Sequence, residues 1–276
     1  MGPVQALVRS MDIRTLTDFA ADLARAAAQE TLPRFRAGID IVNKAQGGFD
    51  PVTEGDREAE RALRTLISDR FPGHGIKGEE FPEKEGTEPW RWVLDPIDGT
   101  RAFICGVPMW TTLIGLEHEG RPVFGIIDQP HLKERWVGET LSNAKSLLVT
   151  GPAGSRVSGC ASLSEARMMA TDMRAGEYFS DDEAEAVLRL GREVRVTRQG
   201  LDSYGFALVA SGQMDMVVEA GLHWHDVAAV IPVIEAAGGT ITDWQGAELR
   251  DTGGTLQVIV AASPKLAEDA ARILRA

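Results

Sequence analysis

The stretch "WVLDPIDGTRAF", residues 92–103, places two aspartates three positions apart behind a short apolar segment. If that segment is a strand, Asp95 and Asp98 lie just past its end, and Pro96 fixes one backbone dihedral between them. Both carboxylates can then face one point. Gly99 permits a close approach of the backbone, and a helix that begins here would offer free N–H groups to an anion. The pattern therefore predicts a cation beside a phosphate-type anion, although the same residues are also typical of a simple turn.

The net charge of the chain is strongly negative, which affects how an anionic substrate could bind. With a formal charge of −12, the protein is a poor partner for nucleic acid or for an anionic membrane. An anionic substrate therefore requires positive charge from a source other than the side chains. Oxygen ligands next to a phosphate cradle suit Mg²⁺, a hard ion that takes one or two carboxylates together with substrate phosphate. We expect a bound metal ion to supply the charge.

The composition is that of an ordinary globular protein. The chain has 276 residues, of which 43% are hydrophobic and 25% charged, enough for one large domain or two smaller ones. No apolar run approaches the roughly 20 residues that span a bilayer, and the N-terminal segment lacks the apolar stretch of a signal peptide. We therefore expect a cytoplasmic protein. Cys105 and Cys160 do not suggest a disulfide framework and are expected to be small apolar fillers.

Hydrophobic periodicity predicts an α/β organisation without repeats. Apolar residues recur at helical spacing in residues 15–37 and 56–75, and β-rich segments follow. Later segments alternate helix and strand, and the stretch 151–159 is the best linker candidate. We therefore predict an α+β N-terminal domain over residues 1–150 and an α/β C-terminal domain over residues 151–276.

Further acidic residues lie outside the opening stretch. Asp56 begins the second predicted helix, Glu79 and Glu80 follow it, and Asp226 starts another helix in "HWHDVAA". Taken singly, the two aspartates are typical helix caps, and the glutamates are typical of a solvated loop. Pro232 lies inside the helix after Asp226 and should kink or restart it. Only the conjunction of these acids with the opening stretch indicates a site.

Four motifs carry a resemblance to a known family. The segments "DPVTEGD" (50–56), "GEEF" (78–81), "WVLDPIDGT" (92–100) and "HDVAA…EAAGGTITD" (225–243) stand in the order and spacing of the inositol-monophosphatase-like family. That family consists of metal-dependent, lithium-sensitive phosphomonoesterases. The resemblance implies a layered αβαβα fold, two or three Mg²⁺ ions per active site, a small phosphomonoester substrate and a homodimer.

Carried over to this sequence, the resemblance also implies roles for single residues. The expected metal ligands are Glu79, Asp95, the Ile97 carbonyl, Asp98 and Asp226. The backbone N–H groups of Gly99 and Thr100 would hold the phosphate, while the Thr100 hydroxyl and Glu79 would orient the attacking water. Asp56 would lie behind the ligands and tune them. Paired metals suit phosphoryl transfer, because it needs in-line positioning and neutralisation of charge.

The substrate is predicted from the C-terminal half. The segments "GLDSYGFALVASG" (200–212), "VVEAGL" (217–222) and "IPVIEAAGG" (231–239) look more like the histidinol-phosphate phosphatase branch than like inositol monophosphatases. Gly55 departs from the family's usual alanine, and His225 stands where an aromatic residue is common. We predict Mg²⁺-dependent hydrolysis of histidinol phosphate. The alternatives are an inositol 1-phosphatase, a 3′-phosphoadenosine nucleotide phosphatase and a catalytically silent binding or scaffold protein.

Several residues of this half have two interpretations. Glu219 matches the family's substrate-contacting acid and would meet the ammonium of histidinol phosphate, or it ends a strand in solvent. Asp202 and Ser203 are weaker candidates for substrate binding, because a helix N-cap is also expected there. His223 and His225 are expected to be structural or to line the substrate pocket, because too few nitrogen or sulfur ligands accompany them for a zinc site.

Overall fold

The structure, a computed structural model, describes residues 13–38, 41–43, 51–141, 145–151 and 154–276. The helices of these ranges are α1 (Ile13–Thr31), α2 (Glu54–Arg70), α3 (Thr100–Ile104), α4 (Asp181–Glu193), α5 (Tyr204–Ala210), α6 (Trp224–Val227), α7 (Val230–Ala236) and α8 (Pro264–Leu274). The strands are β1 (Ile41–Asn43), β2 (Pro51–Thr53), β3 (Gly75–Gly78), β4 (Trp90–Asp98), β5 (Thr111–His118), β6 (Arg121–Gln129), β7 (Glu134–Glu139), β8 (Ser146–Thr150), β9 (Arg167–Met169), β10 (Val196–Arg198), β11 (Met216–Leu222), β12 (Thr240–Thr242) and β13 (Leu256–Ala261).

The first large sheet contains six strands in chain order, β3-β4-β5-β6-β7-β8. Strand β3 runs parallel to β4, and every later pair of neighbours is antiparallel. Glu119 and Gly120, both with positive φ, join β5 directly to β6 in a tight hairpin. Side chains alternate across the sheet, so that Trp92 and Leu94 face one core and Val93 faces another.

The second large sheet contains five strands in the order β10-β9-β11-β13-β12. Strand β9 runs parallel to both of its neighbours, whereas β13 runs antiparallel to β11 and to β12. On β11, Val217 faces the core between the two sheets, and Met216 and Val218 face the outer core. Because both faces of this sheet are apolar, each needs a layer of helices to cover it.

The helices complete a structure of five layers. Helices α1 and α2 cover the outer face of the six-stranded sheet, α5 and α7 lie between the sheets, and α4 and α8 cover the outer face of the five-stranded sheet. The apolar positions that predicted the first two helices, including Leu16, Leu23, Leu63 and Ile67, are fully buried. The order helix, sheet, helix, sheet, helix confirms the predicted αβαβα fold.

Two glycines allow the central helix α7 to lie directly on the six-stranded sheet. A Cβ atom at Gly125 of β6 would collide with the Ala229 carbonyl, and one at Gly138 of β7 would collide with the backbone of Val233. Pro232 lies in the first turn of α7, where a backbone N–H has no intrahelical acceptor. Since α6 has already ended at residue 227, this proline restarts a helix and does not kink one.

The cysteines differ from the expectation. Cys105 is exposed and Cys160 is half-buried, so neither fills the apolar core. The stretch expected as a linker follows β8, and among its described residues none belongs to a helix or strand. The boundary between residues 1–150 and 151–276 stays a prediction. Of the N-terminal segment assessed for a signal peptide, residues 1–19, the first twelve lie outside the described residues and the rest belong to α1. No helix of the described ranges combines the length and apolar character that crossing a membrane requires.

Candidate active site

A β-bulge brings two aspartates of β4 to the same side of the sheet. Asp95 pairs with Leu113 of β5 and Asp98 pairs with Thr111, so three steps along β4 match two steps along β5. Residues three apart in a regular strand point to opposite faces, and one extra residue returns them to the same face. The strand continues through Asp98. The expectation that both aspartates lie past its end is therefore wrong, and the bulge is what aligns them.

Asp226 joins this pair from the first turn of α6. Its Oδ2 accepts a hydrogen bond of 2.6 Å from the backbone N–H of His223, which is the N-cap residue, so Asp226 completes a capping box as the third helical residue and is not the N-cap that we expected. One carboxylate oxygen from each of Asp95, Asp98 and Asp226 lies within 4.8 Å of the other two. The cap uses one oxygen of Asp226, and capping is therefore compatible with membership of the acidic cluster.

Glu79 and His225 form a second group with Asp95. Glu79 directly follows β3, and because β3 runs parallel to β4, its end lies at the same edge of the sheet as Asp95. One potential ligand atom from each of the three side chains lies within 4.8 Å of the other two. The neighbouring Glu80 side chain is only 2% exposed, so the interpretation of this segment as a solvated loop is wrong.

The crowding of buried carboxylates changes their acidity. Burial, reinforced by neighbouring acids, raises the pKa of Asp98 and of Asp226 to about 7. The same two causes raise the pKa of Asp95 well above its ordinary value. The Oδ1 atom of Asp95 is buried and has no hydrogen-bond partner among the described residues. Carboxylates that repel one another, with one buried oxygen that lacks a donor, fit a divalent cation of the Mg²⁺ type, which would neutralise the repulsion.

Asp56 lies behind this cluster, at the start of α2. Its Oδ2 accepts hydrogen bonds from the Thr53 backbone N–H at 2.8 Å and from the Thr53 hydroxyl at 2.6 Å, which closes a capping box. Its Oδ1 lies 3.5 Å from the Thr100 hydroxyl. Burial raises the pKa of Asp56 to about 7. The N-cap of α2 is Thr53 and Asp56 is the third helical residue, so the expected N-cap role of Asp56 is wrong, although its carboxylate completes the capping box and also approaches the turn that follows β4.

Gly99 and Thr100 form that turn, which leads from β4 into α3. Gly99 has a φ of 85°, a conformation that favours glycine, and a Cβ atom there would lie 3.0 Å from the side chain of Asp202. The Thr100 hydroxyl donates to the Ile97 carbonyl at 3.1 Å. The predicted helix does begin here, although it has only five residues. Its first N–H groups lack intrahelical acceptors and are available to an anion.

Glu219 lies in the middle of β11 and is 2% exposed. Its Oε1 accepts hydrogen bonds from the Thr171 backbone N–H at 2.6 Å and from the Thr171 hydroxyl at 2.8 Å. Its Oε2 is buried and has no hydrogen-bond partner within the described part of the chain. Burial raises the pKa of Glu219 to about 8. The interpretation of Glu219 as a solvent-exposed strand end is therefore wrong.

Asp202 and Ser203 reach the site from the turn before α5. The Ser203 backbone N–H donates to Asp98 Oδ2 at 2.6 Å, and its hydroxyl lies 2.5 Å from the Thr111 hydroxyl. Ser203 occupies the N-cap position of α5, but its hydroxyl makes no capping bond, so the expected side-chain cap is absent at this described position. Asp202 adopts a positive φ of 45°, and burial raises its pKa to about 7.

A cavity of about 530 Å³ has both the acidic cluster and Glu219 in its lining. Phe206 and Tyr178 add aromatic surface to its wall. Arg101 pairs with Glu177 at 2.8 Å, and its guanidinium lies 5.0 Å from the Tyr178 ring centroid. His223 and His225 also belong to the lining, with their rings stacked at 5.4 Å.

Sequence reasoning missed several residues of this cavity. Thr171, Tyr178 and Glu177 lie in segments that carry no recognisable site motif, and only the folded chain brings them to the cavity; Phe206 lies in the segment 200–212 that carries the branch resemblance, but it was not singled out there. Arg101 was open to prediction, because it follows the expected phosphate turn directly. The acids were identifiable from their motifs, whereas the side chains between them were not.

Comparisons with known proteins agree with this geometry. The model of the inositol monophosphatase family matches residues 12–276. The chloroplastic bifunctional phosphatase IMPL2 of Arabidopsis thaliana is 43% identical over 226 residues, which make up 81% of this chain and 63%, less than two thirds, of that protein. A histidinol-phosphatase of Chlorobaculum parvum is 38% identical over 229 residues, 82% of this chain and 85% of that protein.

The solved structures agree as well. An inositol monophosphatase from Zymomonas mobilis superimposes with a TM-score of 0.80 at 37% identity, covering 94% of this chain and 97% of that one. The family model extends over residues 12–276, which include every acid of the cluster, and the curated relatives match about four fifths of the chain. This chain belongs to the inositol monophosphatase family.

Proposed function

We propose that this protein is a Mg²⁺-dependent phosphomonoesterase that hydrolyses histidinol phosphate to histidinol and phosphate. Its family consists of metal-dependent phosphatases that act on small phosphomonoesters. The proposal therefore concerns the substrate, the identity of the metal and the roles of single residues. It extends to a homodimer as the state in solution.

The acidic cluster would hold the metal. The ligands we propose are Glu79, Asp95, the Ile97 carbonyl, Asp98 and Asp226. Divalent ions bound there would neutralise phosphoryl charge and make a water molecule more acidic. Their proposed number, two or three per site, comes from the resemblance to the family.

Other residues of the chain would bind the phosphate and orient the attacking water. The N–H groups of Gly99 and Thr100 would bind phosphate oxygens at the start of α3. Glu79 and the Thr100 hydroxyl would orient the attacking water. If the Ile97 carbonyl binds a metal ion, the single proton of that hydroxyl would be donated to Asp56, 3.5 Å away, and not to the carbonyl, which would fix the direction of the hydroxyl.

The observation that carries the choice of substrate is the Oε2 atom of Glu219. This oxygen is buried, lies in the wall of the same cavity as the acidic cluster, and has no hydrogen-bond partner among the described residues. A buried carboxylate oxygen without a donor is costly unless a ligand supplies one. An ammonium group would supply both the donor and the opposite charge. Histidinol phosphate carries an ammonium group and an imidazole. Phe206 and Tyr178 line the same cavity and offer aromatic surface to the imidazole.

Relatives support two substrates. The Chlorobaculum parvum relative is a histidinol-phosphatase, and the Zymomonas mobilis relative is an inositol monophosphatase of nearly the same identity. A polyol hydroxyl could also donate to Glu219, so inositol 1-phosphate is the second candidate, with a 3′-phosphoadenosine nucleotide behind it. The complete acidic cluster argues against a catalytically silent scaffold, because burying these acids without a cation would destabilise the fold.

A phosphate-release assay at matched Mg²⁺ concentration tests the substrate. We expect kcat/KM to be highest for histidinol phosphate, lower for inositol 1-phosphate and lowest for glycerol 2-phosphate. A preference for inositol 1-phosphate would contradict the substrate proposal and leave the phosphatase assignment intact. Full activity in excess EDTA would contradict the proposed dependence on a metal ion.

A variant tests whether Glu219 recognises the cation. Glu219→Gln keeps the shape of the side chain and removes its charge. A charge-assisted hydrogen bond contributes about 1.5–3 kcal/mol, so kcat/KM for histidinol phosphate should fall by roughly 10- to 150-fold. The loss on glycerol 2-phosphate should be much smaller. Glu177→Gln is the matched control, since Glu177 lines the same cavity but is paired with Arg101. Equal losses on both esters would show that Glu219 supports the site without recognising the cation.

A further inference from the structure

The imidazole of His225 lies inside the acidic cluster. A ring nitrogen of His225, a carboxylate oxygen of Glu79 and a carboxylate oxygen of Asp95 lie within 4.8 Å of one another. The Nε2 atom of His225 lies 3.4 Å from Oδ1 of Asp226, a member of the other acidic group. A nitrogen donor therefore stands among oxygen donors at the position where a cation fits.

A separate observation, at Asp95, also points to a cation at this position. Asp95 is 2% exposed, and its Oδ1 atom has no hydrogen-bond partner among the described residues. Asp95 is also the residue that the two groups share. An unsatisfied, buried carboxylate oxygen at the junction of both groups requires a positive partner.

We propose that His225 supplies a nitrogen ligand to the divalent cation held by Glu79 and Asp95, and thereby raises the affinity of this position for Co²⁺ and Zn²⁺ relative to Mg²⁺. The inference rests on the proposed function only in requiring a cation at the acidic cluster. Carboxylate oxygens suit hard ions such as Mg²⁺, whereas imidazole suits transition metals. A mixed site of two carboxylates and one imidazole therefore binds late transition ions more tightly than an all-oxygen site.

The competing interpretation gives His225 a purely structural role. Its ring stacks on that of His223 at a centroid distance of 5.4 Å and an interplanar angle of 24°. In that case the imidazole would shape the cavity wall and contact Asp226, and any cation would be bound by oxygen atoms alone. His223 is the natural control, because its ring takes part in the same stack but in neither of the two ligand groups.

Metal binding to the full-length chain, stripped with a chelator, separates the two interpretations. Calorimetric titration with Co²⁺ and with Mg²⁺ should show that His225→Phe weakens Co²⁺ binding by about tenfold or more, the scale of losing an ordering contact at a metal. Mg²⁺ binding should change by less than about threefold, since this ion gains little from imidazole. His223→Phe should leave the ratio of the two affinities unchanged. Circular dichroism would verify that each variant is folded.

Electron spin-echo measurements on the Mn²⁺-loaded protein test the bond directly. We expect a nitrogen coupling that shifts on ¹⁵N-histidine labelling, disappears in His225→Phe and His225→Gln, and persists in His223→Phe. A coupling absent from the wild type, or one that survives in both His225 variants, overturns the inference. Equal losses of Co²⁺ and Mg²⁺ affinity in His225→Phe also overturn it, because they indicate a structural role. A wild-type chain that binds none of these ions would end the proposed function as well.

Discussion

Asp98 is held by a backbone N–H that comes from a distant part of the chain. Ser203 donates to Oδ2 of Asp98 at 2.6 Å, although 105 positions separate the two residues. This bond fixes the carboxylate on the side of the sheet to which the bulge has turned it. At the scale of the residue, the acid is positioned by both its own strand and the turn before α5.

Replacing Asp98 should separate activity from stability. Asp98→Asn should lower kcat by orders of magnitude, because a proposed metal ligand loses its charge. In EDTA the variant should melt at the same temperature as the wild type or higher, since a crowded buried charge has been removed. Differential scanning calorimetry with and without Mg²⁺ measures this, with Asp182→Asn, at an exposed position of α4, as the control. A variant that melts far lower in EDTA would contradict the prediction.

A second prediction follows from the raised pKa of Glu219. Burial raises its pKa to about 8, which favours the protonated form of Glu219 at neutral pH. Binding an ammonium group requires the charged form, and the affinity for histidinol phosphate should therefore rise as pH increases toward 8. The KM of the wild type should therefore fall as pH increases toward 8, and the pH profile of KM should be flatter for Glu219→Gln. Identical profiles for both proteins would contradict it.

At the scale of the element, the four-residue helix α6 depends on its contacts for stability. So short a helix is not stable alone. The Trp224 indole N–H donates to Oε1 of fully buried Glu117 at 2.6 Å, and Arg91 holds the other oxygen of Glu117 at 2.6 Å. Strand β5 thus anchors the helix that carries Asp226 into the acidic cluster.

Removing the indole N–H should weaken metal binding. Trp224→Phe leaves a buried oxygen of Glu117 without its donor, which should destabilise the fold by about 1–3 kcal/mol. It should also reduce Mg²⁺ affinity, because α6 is less well fixed. Urea denaturation and calorimetric titration measure the two effects. Trp244→Phe is the matched control, because the Trp244 indole N–H is buried and has no hydrogen-bond partner in the described ranges. Equal effects of the two substitutions would contradict the anchoring role.

His74, which precedes β3, should make stability depend on pH. Burial lowers its pKa to about 4, and its Nδ1 accepts a hydrogen bond of 3.0 Å from the Trp92 indole N–H. The unfolded chain takes up a proton on this side chain below about pH 6.5, whereas the folded protein does so only near pH 4. Stability should therefore fall by up to about 3 kcal/mol as pH drops through that window. In His74→Asn the fall should be smaller when followed by urea denaturation, and His131→Asn, on an exposed side chain, serves as the control.

Helices that depend on the local spacing of apolar residues were predictable from the sequence. Features that depend on how strands pair were not. The two N-terminal helices follow from apolar spacing, and the αβαβα order follows from the family resemblance. The bulge at Asp98 depends on the register against β5, which no local pattern specifies. Thr171 could not be assigned to Glu219 for the same reason, since 48 positions separate them. The exposed Cys105 was misjudged because composition does not reveal which face of a short helix is covered.

At the scale of the whole molecule, the site is assembled from both large sheets. Asp95 and Asp98 lie on the six-stranded sheet, Glu219 lies on the five-stranded sheet, and Asp226 lies on a helix after it. Repulsion among these acids therefore acts across the centre of the fold, and a cation there would link the sheets.

The stability of the whole molecule should respond to Mg²⁺ in a pH-dependent way. Burial raises the pKa of Asp56, Asp98 and Asp226 to about 7, above the ordinary value of an aspartate. The folded, metal-free protein thus binds more protons than the unfolded chain, and stability from these groups decreases as pH rises toward 7. Mg²⁺ competes with those protons, so its stabilising effect should be larger at pH 8 than at pH 5.5. Melting temperatures with and without Mg²⁺ at both values measure this, and an equal shift at both would contradict it.

The extra residue between Asp95 and Asp98 also affects how this segment can vary. Deleting either Pro96 or Ile97 would leave Asp98 two positions after Asp95, which keeps both carboxylates on one face but removes the bulge, and with it the bend that a bulge gives its strand just before Gly99 and α3. A substitution at the same place changes one side chain and leaves the bulge intact. The number of residues between Asp95 and Asp98 is therefore under stricter constraint than their identity. Combinatorial libraries built on this scaffold should vary the residue types here and keep the residue count fixed.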